Sequence, residues 1–343
     1  MTGATDGSAP GFGLVLGAGG VIGQAFHHGV LAALQDELGF DARRADVIVG
    51  TSAGSLVATM LRAGVSGADL AASALRRSAT PQGHALLAGL PRPVDTGRPD
   101  WRRLRPPAGP LVAGHAAWGL VRHGRRTPVA ALAAGLLPAG GIDIRLAVAP
   151  VAAALPAFGP EPLLLPAVRV VDGRRVVFGT AGAPPTTPGL AAAASCAVPG
   201  WFSPVVIDGV AYVDGGAYSP TNADLLVAPP DAGVPARPVP RPARVLVLSP
   251  MSAAAGARKL GSRGEAMMRR TSSRRLAREV RALREAGVTV VERSPSDDEL
   301  EVMAGNPLSG KRRRTVVQRA YEVTSRQLAD PHVRAVLQRV ADL

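Results

Sequence analysis

The chain has 343 residues, 47% of them hydrophobic and 19% charged, which suits one large domain or two small ones and excludes a disordered chain. A single cysteine, Cys196, excludes a disulfide framework and a cysteine-based zinc site. The net charge of +13 comes from 39 basic residues, only two of them lysines, and raises nucleic acid and anionic membrane as partners.

Met1 to Pro10 has no basic residue and no apolar run, so no secretory signal is expected there. Phe12–Leu16 reads as a buried strand ending at a glycine loop, Gly17–Gly23. A helix is predicted from about Gln24 to Leu38, because Phe26, Val30, Ala33, Leu34 and Leu38 share one face and Gly39 supplies a stop. Val47–Val49 is a second buried strand, followed by the turn Gly50–Gly54 and a helix to Ala63. Strand, turn and helix twice over predict a parallel sheet covered by helices.

Residues 76–141 are irregular, with proline, glycine and arginine interrupting short apolar pieces such as Val129–Leu137, as expected of a lid or cap. Order resumes at Ile142–Val148. Two hairpins follow, Val168–Phe178 around Asp172-Gly173 and Val205–Val213 around Asp208-Gly209. The longest uncharged stretch, Val176–Ile207, holds five prolines and cannot be one membrane-crossing helix. A proline-rich connection covers 229–242. Val245–Leu248 and Val288–Val291 are strands flanking a basic helix centred on Arg274–Glu285, and one or two helices run from Lys311. The fold class is α/β, with a mainly parallel sheet flanked by helices. The domain expectation is a catalytic unit over 10–250 and a strand-and-helix extension over 251–343 packed on it.

Three short motifs could carry chemistry. Gly17-Ala-Gly-Gly-Val-Ile-Gly23 opens a helix after a strand, where successive amides can bind an anion. It is not a dinucleotide fingerprint, since the sixth place is Ile22 and no acidic residue ends the next strand. Gly50-Thr-Ser-Ala-Gly54 fits G-x-S-x-G between a buried strand and a helix, the setting of a nucleophile elbow that presents Ser52. Asp214-Gly-Gly216 closes the strand Val210–Val213 and leaves a carboxylate uncrowded at its end. A serine hydroxyl needs a base, and the six histidines are His27, His28, His84, His115, His123 and His332. Each reads as an ordinary surface or lid histidine. Only His332 follows the serine where an order Ser…Asp…His could be completed, and it has no supporting pattern.

These motifs, in this order, resemble the patatin-like phospholipase family, as does the run from Ala194 through Pro204. The resemblance covers about Phe12–Gly64 and Ala191–Leu226. It implies a three-layer α/β/α fold and a serine lipid acyl hydrolase without metal or cofactor. It also implies a Ser52–Asp214 dyad, with Asp214 as base, and oxyanion donors at the amides of Gly19 and Gly20. Gly17, Gly23, Gly50, Gly54, Gly215 and Gly216 would support the motifs. Many members carry arginine where this chain has Ile22, which bears on loop anchoring or head-group preference and leaves the oxyanion amides unaffected. Cys196 reads as a small pocket-wall residue.

Two alternatives stand beside this reading: a Ser-His-Asp esterase using His332, and a basic lipid-surface or nucleic-acid-binding protein without turnover. From Met251 onward 19 basic residues stand against 11 acidic ones, and the 269–284 helix is amphipathic, with Leu276, Val280 and Leu283 on one face. That helix is expected either to cover the sheet or to touch an anionic membrane. Nucleic acid is not expected, because no aromatic residues accompany the basic runs. The location expected is cytoplasmic, with peripheral membrane contact through that helix.

Overall fold

The computed structural model describes residues 11–77, 79–88, 140–227 and 241–341. Its centre is one sheet of eight strands: β1 (Phe12–Leu16), β2 (Val47–Gly50), β3 (Leu163–Arg169), β4 (Arg175–Phe178), β5 (Val205–Ile207), β6 (Val210–Asp214), β7 (Arg244–Leu248) and β8 (Thr289–Arg293). The order is β5-β6-β3-β2-β1-β7-β8, with β4 also pairing with β3. From β3 to β8 every pairing is parallel, while β4, β5 and β6 join antiparallel.

The parallel strands are apolar on both faces because helices cover both. Phe12, Leu14 and Leu16 of β1, Ile48 of β2 and Leu246 and Leu248 of β7 enter one core. Val15, Val47, Val49, Val245 and Val247, one residue out of phase, enter the other. The first core is shared with α1 (Gly20–Leu38), α2 (Ala53–Arg62), α3 (Gly67–Leu75), α5 (Arg145–Ala154), α6 (Pro188–Cys196) and α9 (Arg313–Leu328). The second is closed by the turn Ala223–Leu226 and by α7 (Arg263–Glu285), which inserts Leu276, Val280 and Leu283. The result is helices, sheet, helices. Among the described residues the remaining helices are α4 (Pro81–Ala88), α8 (Asp297–Met303) and α10 (Pro331–Ala341).

The two hairpins form as their turn residues require. Asp208 and Gly209 both have positive φ (49° and 72°), the backbone of a two-residue turn that matches strand twist. The first differs in extent, since β3 starts at Leu163 to pair with β2 before meeting β4. Helix α1 also starts earlier than its apolar periodicity suggests, at Gly20, because Gly23 N already donates to Gly19 O at 2.8 Å. Within the uncharged stretch 176–207 lies a helix that periodicity does not flag. Helix α6 is buried on all sides, so no polar face marks it, and its signal is Thr187 capping Leu190 N ahead of Pro188. The irregular segment falls outside the described residues over 89–139, as does the proline-rich connection over 228–240. Among the described residues no helix is long and apolar enough to cross a membrane.

Because Leu283 is fully buried against the sheet and Arg278 faces solvent, the two should respond differently to truncation. Urea denaturation should show Leu283→Ala losing about 2–5 kcal/mol of stability, against less than about 0.5 kcal/mol for Arg278→Ala.

Candidate active site

The parallel strands β1, β2 and β7 end level with one another, Leu16 lying beside both Gly50 and Leu248. Chain order reverses at β1, which has β2 on one side and β7 on the other, so their loops open into the crevice where open α/β sheets bind ligands. The loop after β1 is the glycine run and the loop after β2 is the serine turn.

Ser52 caps α2 with φ 53° and ψ −121°, a backbone that a side chain adopts only under constraint, at a cost of about 1–3 kcal/mol. The constraint is close packing. A Cβ on Gly54 would stand 2.0 Å from Leu16 O, and one on Gly50 would stand 2.7 Å from the Ala58 Cβ. Only hydrogen at these positions lets the elbow turn so close to β1. The Ser52 amide donates to Ser195 Oγ at 3.0 Å, and that hydroxyl donates to Pro166 O at 2.7 Å. Ser195 thus fastens the elbow to α6 and β3.

The side chain of Ser52 donates to Asp214 Oδ2 at 2.6 Å. Asp214 ends β6, and its Oδ1 accepts Gly216 N at 2.6 Å. Gly215 follows where a Cβ would stand 2.2 Å from Pro166 O. Burial pushes the Asp214 carboxyl up to about 6, against the opposing pull of its bonds from Ser52 and Gly216. Cys196 is also buried nearby, and desolvation with the Asp214 charge pushes its thiol up, away from nucleophilic use.

The glycine run is anchored from several sides. Gly17 N donates to Leu248 O at 2.9 Å, Ala18 N to Pro220 O at 2.7 Å and Ile22 N to Pro307 O at 3.1 Å. Gly19 and Gly20 begin α1, where the first amides of a helix have no intrahelical acceptor. Gly20 has φ 62°, and a Cβ on it would meet Pro307 O at 2.7 Å. Gly19 and Gly23 both pack on Pro250. Ile22 is buried in the first core, so loop anchoring here relies on backbone bonds and apolar packing.

Two histidines, His27 and His28, are not the surface residues that the sequence suggests. His27 and His28 are fully buried in α1, since this helix is covered by α3 and α9 as well as by the sheet. Burial lowers His27 to about 4, so its neutral ring donates through Nε2 to Gly17 O at 2.8 Å and holds the glycine run. His28 is lowered too, by burial and by Arg313. His84 is exposed on α4, and His115 and His123 lie outside the described residues. His332 is exposed at the start of α10, its amide donating to Asp330, while the Ser52 hydroxyl is engaged by Asp214.

Asp214 binds its proton more tightly in the folded chain than in the unfolded one. Its contribution to stability is therefore full below about pH 4 and is lost as pH rises through about 6. A shift of this size corresponds to roughly 3 kcal/mol. Asp214→Asn, neutral at every pH, is expected to melt higher than the native protein at pH 8, with the gap closing below pH 4. Thermal melts across that range test it, and a gap independent of pH would contradict it.

The family model described as patatin-like phospholipase matches residues 14–227. No curated protein matches the chain. Among solved structures, VipD from Legionella pneumophila is similar at 14% identity, with 94% of this chain and 67% of that chain covered and a TM-score of 0.39.

Proposed function

The chain belongs to the patatin-like phospholipase family and is a hydrolase acting on ester bonds, and from that premise we propose that it cleaves lipid acyl esters with Ser52 as nucleophile and Asp214 as its base. The observation that carries the proposal is the buried 2.6 Å hydrogen bond from Ser52 Oγ to Asp214 Oδ2 at a strained elbow. Ser52 Oγ attacks the acyl carbonyl as its proton passes to Asp214 Oδ2. The carbonyl oxygen becomes an oxyanion that accepts hydrogen bonds from Gly19 and Gly20, each such donor worth about 3 kcal/mol. Collapse breaks the ester bond, the leaving alkoxide takes the proton from Asp214, and the acyl group stays on Ser52. Water then attacks the acyl carbonyl and gives a proton to Asp214, and collapse breaks the bond to Ser52 Oγ, releases the carboxylic acid and returns that proton to Ser52. A carboxyl raised to about 6 is a stronger base than an ordinary aspartate and is still mostly ionised at pH 7.

A fluorophosphonate probe should label the native protein and not Ser52→Ala. Turnover of an acyl ester should fall by several orders of magnitude in Asp214→Asn and stay unchanged in His332→Ala. The native kcat/KM should rise with pH through about 6 and then level off. Dependence on His332 would move the protein to a Ser-His-Asp mechanism.

A second part of the proposal concerns where the substrate is met. The apolar face of α7 is buried in the second core, so that face does not enter a membrane. Its outer face carries Arg270, Arg274, Arg278 and Arg281, all exposed, with Met267 exposed at one end. Among the described residues these four arginines have neither a hydrogen-bond nor an ion-pair partner. Like charges three or four residues apart cost about 0.2–0.5 kcal/mol per pair, and an anionic bilayer turns that cost into attraction. Replacing all four by glutamine should abolish sedimentation with phosphatidylserine-containing vesicles, and 0.5 M salt (about a 4 Å Debye length) should do the same to the native protein. Equal binding to vesicles of phosphatidylcholine alone would refute the electrostatic part.

A further inference from the structure

Behind Asp214, residues 219–223 form a loop that reaches every part of the candidate site. Its Pro220 carbonyl accepts Ala18 N at 2.7 Å, holding the glycine run. Thr51, just before Ser52, donates its hydroxyl to Thr221 O at 3.3 Å and accepts Asn222 Nδ2 at 3.1 Å. The same Asn222 amide donates to Ser219 O at 2.6 Å and to Gly215 O at 3.4 Å, beside Asp214. Asn222 itself is left-handed, with φ 52° and ψ 31°, a conformation uncommon outside glycine but several-fold enriched in asparagine.

A carboxylate from α7 grips this loop from outside. Glu279 Oε1 accepts Ser219 Oγ at 2.5 Å and Arg275 Nε at 3.1 Å. Its Oε2 accepts Thr221 Oγ1 at 2.6 Å and Ala223 N at 2.9 Å. The side chain is 3% exposed, so its ionised form depends on these four donors for the solvation that water would otherwise supply. At the far end Arg175, also buried, pairs with Asp224 at 2.8 Å and donates to Asn222 Oδ1 at 3.0 Å. Glu279 lies outside the segment matched by the family model, which ends at residue 227.

We infer that Glu279 is a positioning residue for the Ser52 site, holding the 219–223 loop so that the glycine run, the serine elbow and the Asp214 turn stay in register. The inference rests on the reading of Ser52 and Asp214 as the reacting pair. Glu279 touches no reacting atom, so its removal should lower kcat and leave KM for a small ester unchanged. Misalignment of a reacting group by about 1 Å can cost on the order of a hundredfold in rate.

The test uses the full-length protein as Glu279→Leu, Glu279→Gln and Thr221→Val. Ester kinetics, fluorophosphonate labelling rate, melting temperature and amide hydrogen exchange over 17–23 and 51–54 are read on each. Glu279→Leu should lose about ten- to a hundredfold in kcat and in labelling rate, with faster exchange in both segments. Glu279→Gln, whose single amide oxygen can still accept Thr221 and Ala223, should recover much of the loss. Thr221→Val removes one loop donor at nearly constant shape and should move the same readouts in the same direction by less, which keeps the test decisive if Glu279→Leu does not fold. A folded Glu279→Leu or Thr221→Val with native kcat, labelling and exchange would overturn the inference. A native protein that is neither labelled nor active would refute the Ser52–Asp214 reading instead, and the exchange data would still decide whether Glu279 holds the two loops.

Discussion

The backbone of Ser52 is held in a conformation that its own side chain disfavours, and the rest of the site is arranged around that fact. The strain is tolerated because α2 begins almost in contact with the end of β1, a closeness that Gly54 allows and any Cβ there would forbid. Release would need β1, β2 and α2 to separate, and all three are buried in the core. The serine hydroxyl is thereby aimed at Asp214, which arrives from an antiparallel strand on the other side of β3. The amide of Ser52 is used as well, since Ser195 accepts it and passes the connection on to β3. The Ser52–Asp214 hydrogen bond thus joins elements from both ends of the matched segment.

In the mechanism proposed above, burial of Asp214 serves reactivity at the expense of stability. An aspartate in water is too weak a base to take a proton from serine effectively at neutral pH. Removing Asp214 from solvent makes it a stronger base and also makes its ionised form costly to fold around. The same logic runs through the neighbouring groups. His27 is kept neutral by burial and serves as a hydrogen-bond donor to the glycine run, while Cys196 is kept protonated and inert. Burial and the Asp224 charge push the Glu279 carboxyl up as well, and its four donors hold it as a buried connection between α7 and the loop behind Asp214.

Helix α7 shows how one segment can carry opposed properties on two faces. Leu276, Val280 and Leu283 close the second core, Glu279 reaches inward to the 219–223 loop, and arginines line the outside. The surplus positive charge of the chain is concentrated from residue 251 onward, where this helix lies. Its spacing turns that charge outward to solvent, with Arg270, Arg274, Arg278 and Arg281 all exposed. A basic composition therefore coexists with a proposed site whose key groups are one hydroxyl, one carboxyl and a set of backbone amides.

Much of the fold was legible because its signals are short-ranged. Continuous apolar runs mark the parallel strands, the Asp-Gly pairs 172–173 and 208–209 mark both hairpins, and glycines flanking a serine after a strand mark the elbow. The motifs carrying Ser52, Asp214, Gly19 and Gly20 are readable from the order of their residues, and their resemblance to a family suggests the roles proposed for them. What the chain alone did not disclose were contacts set by strand order. Ser52 and Asp214 are 162 residues apart, and only the pairing of β6 with β3 and of β3 with β2 brings them together. His27 read as a surface residue because a histidine on a helix carries no local mark of being covered by another helix, and α6 was missed because burial on every side removes the periodicity that identifies a helix. Glu279 had no motif at all. Local stereochemistry and patterning are written into neighbouring residues, so the sequence determined the elements and the turns. Which distant side chains share a buried hydrogen bond was decided only when β7 paired with β1 and carried α7 onto the sheet, since that depends on the packing of the whole chain.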